Sequence, residues 1–371
     1  MNVMTVNTGS SSVRLAYFER AGSGQLKELA NSHHTFTGHE PETLLREFAQ
    51  AHEFEGVSLV AHRIVHGGAR FTTPIFLDVS SEQEIEHLSP LAPLHNPVAL
   101  RWIRAARKVW GSNVPQVGVF DTAFYGDLPK VARTYAIPHS LDEKHGLRRY
   151  GFHGLAHQAM WRRWSELRPK NAGSGRLISF QLGAGCSITA TENGKPRDTS
   201  MGFSPMEGLM MATRSGDVDP GLITFLQRQE GLTTQEIDRL LNEASGLLGV
   251  SGISADMRQL LESQDERARL AVSLYSYRAR KYLGAYLAVL GGADAIIFGG
   301  GVGEHAPSIR ARILEGMEWL GILLDPESNL AAVGLESRIS APNSQIEVWV
   351  MPVDEAAILA REALTVATNS I

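Results

Sequence analysis

Apolar positions along the chain fall into two kinds of pattern. Short apolar runs bounded by glycine, asparagine and serine occur at residues 2–6, 13–18, 177–182 and 186–191, and runs of this length and punctuation predict strands. The first pair is separated by Asn7-Thr8-Gly9-Ser10-Ser11-Ser12 and the second by Gly183-Ala184-Gly185, so each pair predicts a hairpin. Asn193-Gly194 marks another, because both residues accept the positive φ of a tight turn. Residues 41–52, 98–109 and 153–167 space their apolar side chains at three and four, as one face of a helix requires. Residues 268–290 predict a long helix, amphipathic to buried. Residues 294–298 then predict a strand feeding the loop Gly299-Gly300-Gly301-Val302-Gly303, with a new helix from about Ala306 and Pro307 in its first turn. Strands mixed with helices in this order indicate an α/β fold. Two strand–turn–strand units, one opening each half, suggest a duplicated architecture. No low-complexity linker divides the chain, so the domain boundary is inferred from the second hairpin unit.

Composition narrows the class. The chain has 371 residues, enough for roughly two or three domains. With 43% hydrophobic and 20% charged residues it can bury a sizeable core, which excludes a disordered chain. A net charge of −5, from 35 Lys+Arg against 40 Asp+Glu, gives no basic footprint for nucleic acid or an anionic membrane. The single cysteine, Cys186, excludes an internal disulfide and a zinc site built from several cysteines, and a reducing cytoplasm is the expected compartment. The N-terminus shows no signal-peptide pattern. The weakly charged stretch 281–304 is interrupted by Asp294 and several glycines, so a membrane span is not expected.

Several segments carry candidate chemistry. The loop from Asn7 to Arg14 offers backbone N–H groups, hydroxyls and a guanidinium, all suited to phosphate oxygens. It lacks Gly-Lys-[Ser/Thr] and enters a strand, so it is not a P-loop; a polar hairpin turn is the competing reading. The glycine cluster 299–304 joins a strand to a helix N-terminus, a plausible anion site. Its likeness to a dinucleotide fingerprint, with Asp325 further on, is set aside because too little chain follows Gly301 for the rest of such a domain. In Ala61-His62-Arg63-Ile64-Val65-His66-Gly67-Gly68 an arginine sits on an apolar strand, where it needs an anion, either a ligand or a structural ion-pair partner. Val119-Phe120-Asp121-Thr122 ends a strand with a carboxylate, which either reacts or caps a helix. Arg148-Arg149-Tyr150-Gly151-Phe152-His153-Gly154 and Met211-Ala212-Thr213-Arg214-Ser215-Gly216-Asp217 add cations flanked by glycines. His153 and His157 are four apart but lack a third ligand, so structural histidines are expected there. Glycine-rich anion loops, arginines in apolar surroundings, a strand-end Asp and no nucleophilic Ser or Cys motif are the parts that phosphoryl transfer uses.

Taken in order, these segments resemble acetate kinases. The likeness runs through Val6-Asn7-Thr8-Gly9-Ser10-Ser11-Ser12-Val13-Arg14, His62-Arg63-Ile64-Val65-His66-Gly67-Gly68 and Pro93-Leu94-His95-Asn96-Pro97. It continues through Phe120-Asp121-Thr122-Ala123-Phe124, Arg149-Tyr150-Gly151-Phe152-His153-Gly154, Asp198-Thr199-Ser200-Met201-Gly202 and Glu207-Gly208-Leu209-Met210-Met211. Thr213-Arg214-Ser215-Gly216-Asp217, Ser245-Gly246-Leu247-Leu248-Gly249 and Gly300-Gly301-Val302-Gly303-Glu304 complete it. So many segments in the family's order cover nearly the whole chain.

The resemblance implies two ribonuclease-H-like domains, the duplicated actin-like ATPase architecture, around a central cleft. The expected domains are 1–125 with 356–371, and 126–355, the second binding nucleotide. The implied reaction is Mg²⁺-dependent (Mn²⁺ possible), reversible, direct in-line phosphoryl transfer from ATP to acetate, giving ADP and acetyl phosphate. A propionate or other short-chain kinase, or a weakly active homologue that senses nucleotide or acyl phosphate, is the alternative. By the same resemblance Asn7 and Glu355 hold the metal, and Arg63 and Arg214 bind carboxylate or phosphate. Arg214 with His153 stabilises the transferring phosphoryl group, and Asp121 is the essential carboxylate. Val65, Leu94, Phe152 and Pro205 form a small apolar acyl pocket. Arg14, Gln181, Leu182, Gly183, Ala184, Gly185, Asp256, Met257, Arg258, Gly300, Gly301, Val302, Gly303 and Glu304 lie around ATP. A cytoplasmic homodimer is implied as well. Two departures stand out: Gln181-Leu182-Gly183-Ala184-Gly185 replaces the family's usual His-Leu-Gly-Asn-Gly, and Pro352-Val353-Asp354-Glu355 replaces Pro-Thr-Asn-Glu, which keeps the glutamate.

Overall fold

The computed structural model describes residues 1–9, 12–22, 25–36, 40–52, 54, 56–168 and 173–369. Its chain divides into two compact units. The first comprises Met1–Gly126, Phe152–Ala159 and the chain from Asp354 onward; the second comprises Asp127–Gly151 and Met160–Val353.

The first unit is built on a six-stranded sheet of β1 (Asn2–Thr8), β2 (Ser12–Arg20), β3 (Leu26–Thr35), β4 (Leu59–Ile64), β5 (Ile75–Phe76) and β6 (Gln116–Phe120), in the order β3-β2-β1-β4-β6-β5. β1, β4 and β6 run parallel, while β2, β3 and β5 are antiparallel to their neighbours. The second unit holds β7 (Arg176–Leu182), β8 (Cys186–Glu192), β9 (Lys195–Thr199), β10 (Ala295–Gly299), β11 (Ser337–Arg338) and β12 (Glu347–Val350), in the order β11-β12-β10-β7-β8-β9. There β7, β10 and β12 are parallel and β8, β9 and β11 antiparallel. Each sheet is thus an antiparallel three-strand meander continued by two parallel strands and closed by an antiparallel edge. The duplication suggested by two hairpins is a duplication of whole sheets.

Burial explains the strand composition. From Val3 to Thr8 every residue of β1 is buried, as a parallel strand covered on both faces requires. Met4, Val6 and Leu15 pack with Leu45 and Phe48 of the helix Pro41–Ala51 and with Trp102 of the helix Asn96–Trp110. The helix Glu355–Asn369 packs on β1, β4 and β6. In the second unit Phe180 and Phe298 stack at 5.0 Å across β7 and β10, and the helix Glu266–Leu290 covers β7, β8 and β9. Asp265 caps that helix by accepting from the Arg267 N–H, and Gly291, at φ 67°, ends it.

One expectation is corrected. Gly300–His305 is a short helix and not an open loop. Gly300 takes φ 77°, and the Glu304 carboxylate accepts from its N–H at 2.9 Å, which closes the turn directly after β10. Among the described residues no helix is long and apolar enough to cross a membrane.

Candidate active site

In the first unit the polar cluster forms at the carboxyl ends of the parallel strands, where an α/β sheet leaves side chains free of the ladder. Asn7 is near the end of β1, Arg63 near the end of β4, and Asp121 is the first residue after β6. Glu355 opens the helix packed on those strands. Arg63 Nη2 and Nε both donate to Asp121 Oδ2, at 2.6 and 3.1 Å. Its Nη1 donates to Asn7 Oδ1 at 3.1 Å and lies 3.5 Å from Glu355 Oε2. The Asn7 amide donates to the same Glu355 oxygen at 2.7 Å. One guanidinium therefore faces two carboxylates, in a pocket where the Asp121 side chain is 1% exposed.

Burial disfavours the charged form of Arg63, but the Asp121 and Glu355 carboxylates outweigh it and hold the guanidinium charged. Burial pushes the Asp121 carboxyl up, and Arg63 offsets this only in part. Burial also works against charged Glu355, yet Arg63, the Asn7 hydrogen bond, and the charges of His153 and Arg14 bring it below its ordinary value. Asp121 Oδ1 is buried without a hydrogen-bond partner among the described residues. Asp121 does not cap the short 3₁₀ turn that follows, where Phe120 holds the N-cap position, but the Leu155 N–H in the first turn of the helix Gly154–Glu166 also acts on its carboxyl.

His153 reaches this cluster through strained backbone. Its φ is 58°, a region that costs a non-glycine residue about 1–3 kcal/mol. The conformation is fixed on both sides: Phe152 O accepts from Tyr125 OH at 2.8 Å, and a Cβ on Gly154 would lie 2.0 Å from Asp121 O. His157, one turn on, is buried and held neutral by desolvation. Of the expected acyl-pocket residues, Val65 and Phe152 are buried, while Leu94 is 59% exposed. The backbone around Val65 is clasped by Asn96, which accepts from His66 N and donates to His66 O. Ser10 and Ser11 lie outside the described residues.

In the second unit the β7–β8 turn and the start of the helix Gly300–His305 meet, because Gln181 pairs with Gly299 across β7 and β10. Gly183 N donates to Gly185 O at 3.0 Å to close the turn. Beside it lies a cavity of about 640 Å³. Of the residues expected around nucleotide, Gly183, Ala184, Asp256, Met257, Arg258, Gly301 and Val302 line it. Leu182, Gly300 and Gly303 are buried behind it, and Glu304 is turned to the Gly300 and Val353 N–H groups. Gln181 Oε1 is buried and without a partner among the described residues. Arg14 belongs to the first unit, on β2. Ala212, Leu247 and Leu261 also line the cavity; Ala212 and Leu247 stand within the motif segments, but none of the three is assigned to the nucleotide from sequence, since an apolar side chain carries no chemical signal of its own. Arg214 Nη1 donates to Pro205 O at 3.1 Å, and burial makes its charge costly.

A model of the Acetokinase family matches residues 22–361. The chain belongs to the Acetokinase family. It is 48% identical to the acetate kinase of Chloroherpeton thalassium over 313 residues, 83% of this chain and 75% of that one. The crystal structure of Porphyromonas gingivalis acetate kinase superposes with a TM-score of 0.88 at 37% identity, covering 99% of both chains. A propionate kinase from Francisella tularensis superposes equally well, with a TM-score of 0.89 at 32% identity over 98% of this chain and 99% of that one. Family membership and the repeated sheets together establish the duplicated actin-like ATPase architecture.

Proposed function

We propose that the protein is an acetate kinase, transferring the γ-phosphoryl group of ATP to acetate. The observation that carries this reading is Arg63, a partly buried guanidinium held by Asn7 and Asp121 at the strand ends and by Glu355 at the start of the helix packed on them in a member of the Acetokinase family. An acetate oxygen attacks the γ-phosphorus, the bond to the β–γ bridging oxygen breaks, and the electron pair leaves with ADP. No covalent enzyme intermediate is required, so positioning and charge stabilisation do the work. Arg63 orients the acetate carboxylate, and its planar fork suits that task. Asp121, with one oxygen already on Arg63, fixes the guanidinium. Arg214 and His153 stabilise the negative charge on the transferring group. The second unit supplies the nucleotide site: apolar walls for the base and ribose, and the turn at Gln181-Leu182-Gly183-Ala184-Gly185 with Gly300-Gly301-Val302-Gly303 for the phosphates.

The residues at Asn7 and Glu355 fit a magnesium ion. An amide oxygen at Asn7 and a carboxylate at Glu355 are the oxygen donors such an ion takes, and Mg²⁺ is commonly held by one or two carboxylates together with substrate phosphates. When bound it would neutralise phosphate charge, and Asn7 and Glu355 would hold it; Mn²⁺ has the same oxygen preference. Val65 and Phe152, both buried in the first unit, favour acetate over longer acyl chains. A cytoplasmic homodimer completes the reading, on the family likeness.

The test is a hydroxamate assay with ATP, Mg²⁺ and acetate, propionate or butyrate. The expected order of kcat/KM is acetate, then propionate, then butyrate. Product with none of the three, in a folded protein that still binds nucleotide, would replace this reading with a sensor.

A further inference from the structure

Arg214 sits on the segment 208–217, which contains neither helix nor strand. Its ends are clasped to each other. Gly208 N donates to Asp217 Oδ1 at 2.8 Å, and Asp217 N donates to Gly208 O at 3.0 Å. Gly208 and Gly216 adopt φ values of 104° and 66°, and a Cβ on Gly216 would lie 2.5 Å from Gly208 O, so the two ends pack backbone on backbone. The second carboxylate oxygen, Asp217 Oδ2, accepts from Tyr282 OH at 2.7 Å. Tyr282 lies on the helix Glu266–Leu290, and Arg278 of that helix donates to the Asp217 carbonyl at 3.2 Å. Inside the segment, Met211 N donates to Arg214 O at 3.1 Å.

Ser215 N donates to Leu241 O at 3.0 Å and Thr213 O accepts from Ser245 N at 2.9 Å, which braces the backbone beside Arg214, but the Arg214 side chain has few partners. Its guanidinium donates to the Pro205 carbonyl and lies 3.8 Å from the Met211 sulfur, and among the described residues no carboxylate pairs with it. An arginine with a carboxylate partner is oriented by that partner, as Arg63 is. Arg214 instead depends on the shape of its segment.

We propose that Asp217 and Tyr282 are positioning residues for the phosphoryl-transfer step, acting through Arg214: the Tyr282 hydroxyl anchors the Asp217 clasp to a long, rigid helix, and the clasp aims the guanidinium. This rests on the reading of Arg214 as a phosphoryl-stabilising cation. Preorganised donors are effective because they do not have to reorient during the reaction, so loosening their support lowers kcat even when no contact to substrate is removed.

The experiment is a double-mutant cycle. Tyr282→Phe is made in the native chain and in Arg214→Ala, with the hydroxamate assay run to long end-points so that the slow background is measurable. Binding of Mg-ATP is titrated by calorimetry in parallel. In the native chain Tyr282→Phe is expected to lower kcat about fivefold, the scale of one lost hydrogen bond, with the dissociation constant for Mg-ATP within twofold. Added to Arg214→Ala it is expected to cost nothing further, because residues that act through one another are not additive. Asp217→Asn, which keeps an acceptor for Gly208 N, is expected to behave in the same way. The same fivefold loss in both backgrounds would mean a merely structural role and would overturn the proposal, as would an unchanged kcat in Tyr282→Phe. Near-native kcat in Arg214→Ala would instead remove the assignment of Arg214, a separate outcome.

Discussion

Replacing Arg63 by alanine removes the cation that, among the described residues, faces both Asp121 and Glu355. The charge left behind is severe at Asp121, whose side chain is 1% exposed and whose Oδ1 has no hydrogen-bond partner among the described residues. Breaking a buried pair by deleting one partner costs about 3–5 kcal/mol. Here the cost falls at or below the low end, because the Asp121 carboxyl is already pushed up by burial and can take up a proton, and because Glu355 keeps its hydrogen bond from Asn7. In a chain of this size such a loss lowers the melting temperature by several degrees, so the variant is expected to fold. Catalysis should suffer more: losing one preorganised donor lowers kcat by about 10²–10³-fold. Arg63→Lys separates charge from geometry. A lysine ammonium cannot make two bonds to Asp121 Oδ2 and a third to Asn7 as the guanidinium fork does, so its kcat should fall between the alanine variant and the native protein. The assay is hydroxamate formation at saturating ATP, Mg²⁺ and acetate, with thermal melting as the control for folding. A folded Arg63→Ala variant within threefold of native kcat would refute the role of the guanidinium, and native activity in Arg63→Lys would refute the argument from its shape.

Val65→Ala should enlarge the space at the end of the acyl chain and raise the propionate-to-acetate ratio of kcat/KM by about tenfold, since one methylene is worth about 1–3 kcal/mol in an apolar pocket; an unchanged ratio would place the tail elsewhere. Gln181→His with Ala184→Asn should raise kcat/KM for ATP by up to about tenfold, because a charge-assisted hydrogen bond is roughly twice as strong as a neutral one, and a native protein that uses ATP as well as the double variant would show that Gln181 costs nothing. Glu355 sits below its ordinary value of 4.5 in the folded chain, so its contribution to stability is complete above that pH and is lost as the pH falls through the lower folded value. Glu355→Gln should therefore flatten the acid side of the melting-temperature profile while lowering the affinity for Mg²⁺ in the presence of ADP; a profile parallel to that of the native protein would contradict this.

Part of this architecture is written locally. Arg63 and Asp121 stand out because charged residues in apolar strands need a partner, and in the structure they are partners. The hairpin at Asn193-Gly194 is legible because both residues take positive φ, 52° and 78°, which few residue types accept. Other features have no local signal. β3 is mostly exposed along its length, so no apolar alternation announces it. The segment Phe152–Ala159 groups with the first unit through contacts to Asp121 and Tyr125, and distant contacts leave no periodicity. Glu355 looks like any helix-opening glutamate until the helix is placed on β1, β4 and β6. The cavity wall of Ala212, Leu247 and Leu261 reads as ordinary core, because a surface that excludes water from a ligand has the composition of one that excludes water from the protein.

The central claim is that this chain moves a phosphoryl group from ATP to acetate. ³¹P NMR of the purified protein with ATP, Mg²⁺ and acetate observes the product itself. Acetyl phosphate and ADP should appear together in equal amounts, only when acetate is present, and should revert to ATP and acetate when acetyl phosphate and ADP are supplied instead. Nucleotide binding without any acyl phosphate signal, in either direction, would contradict the account.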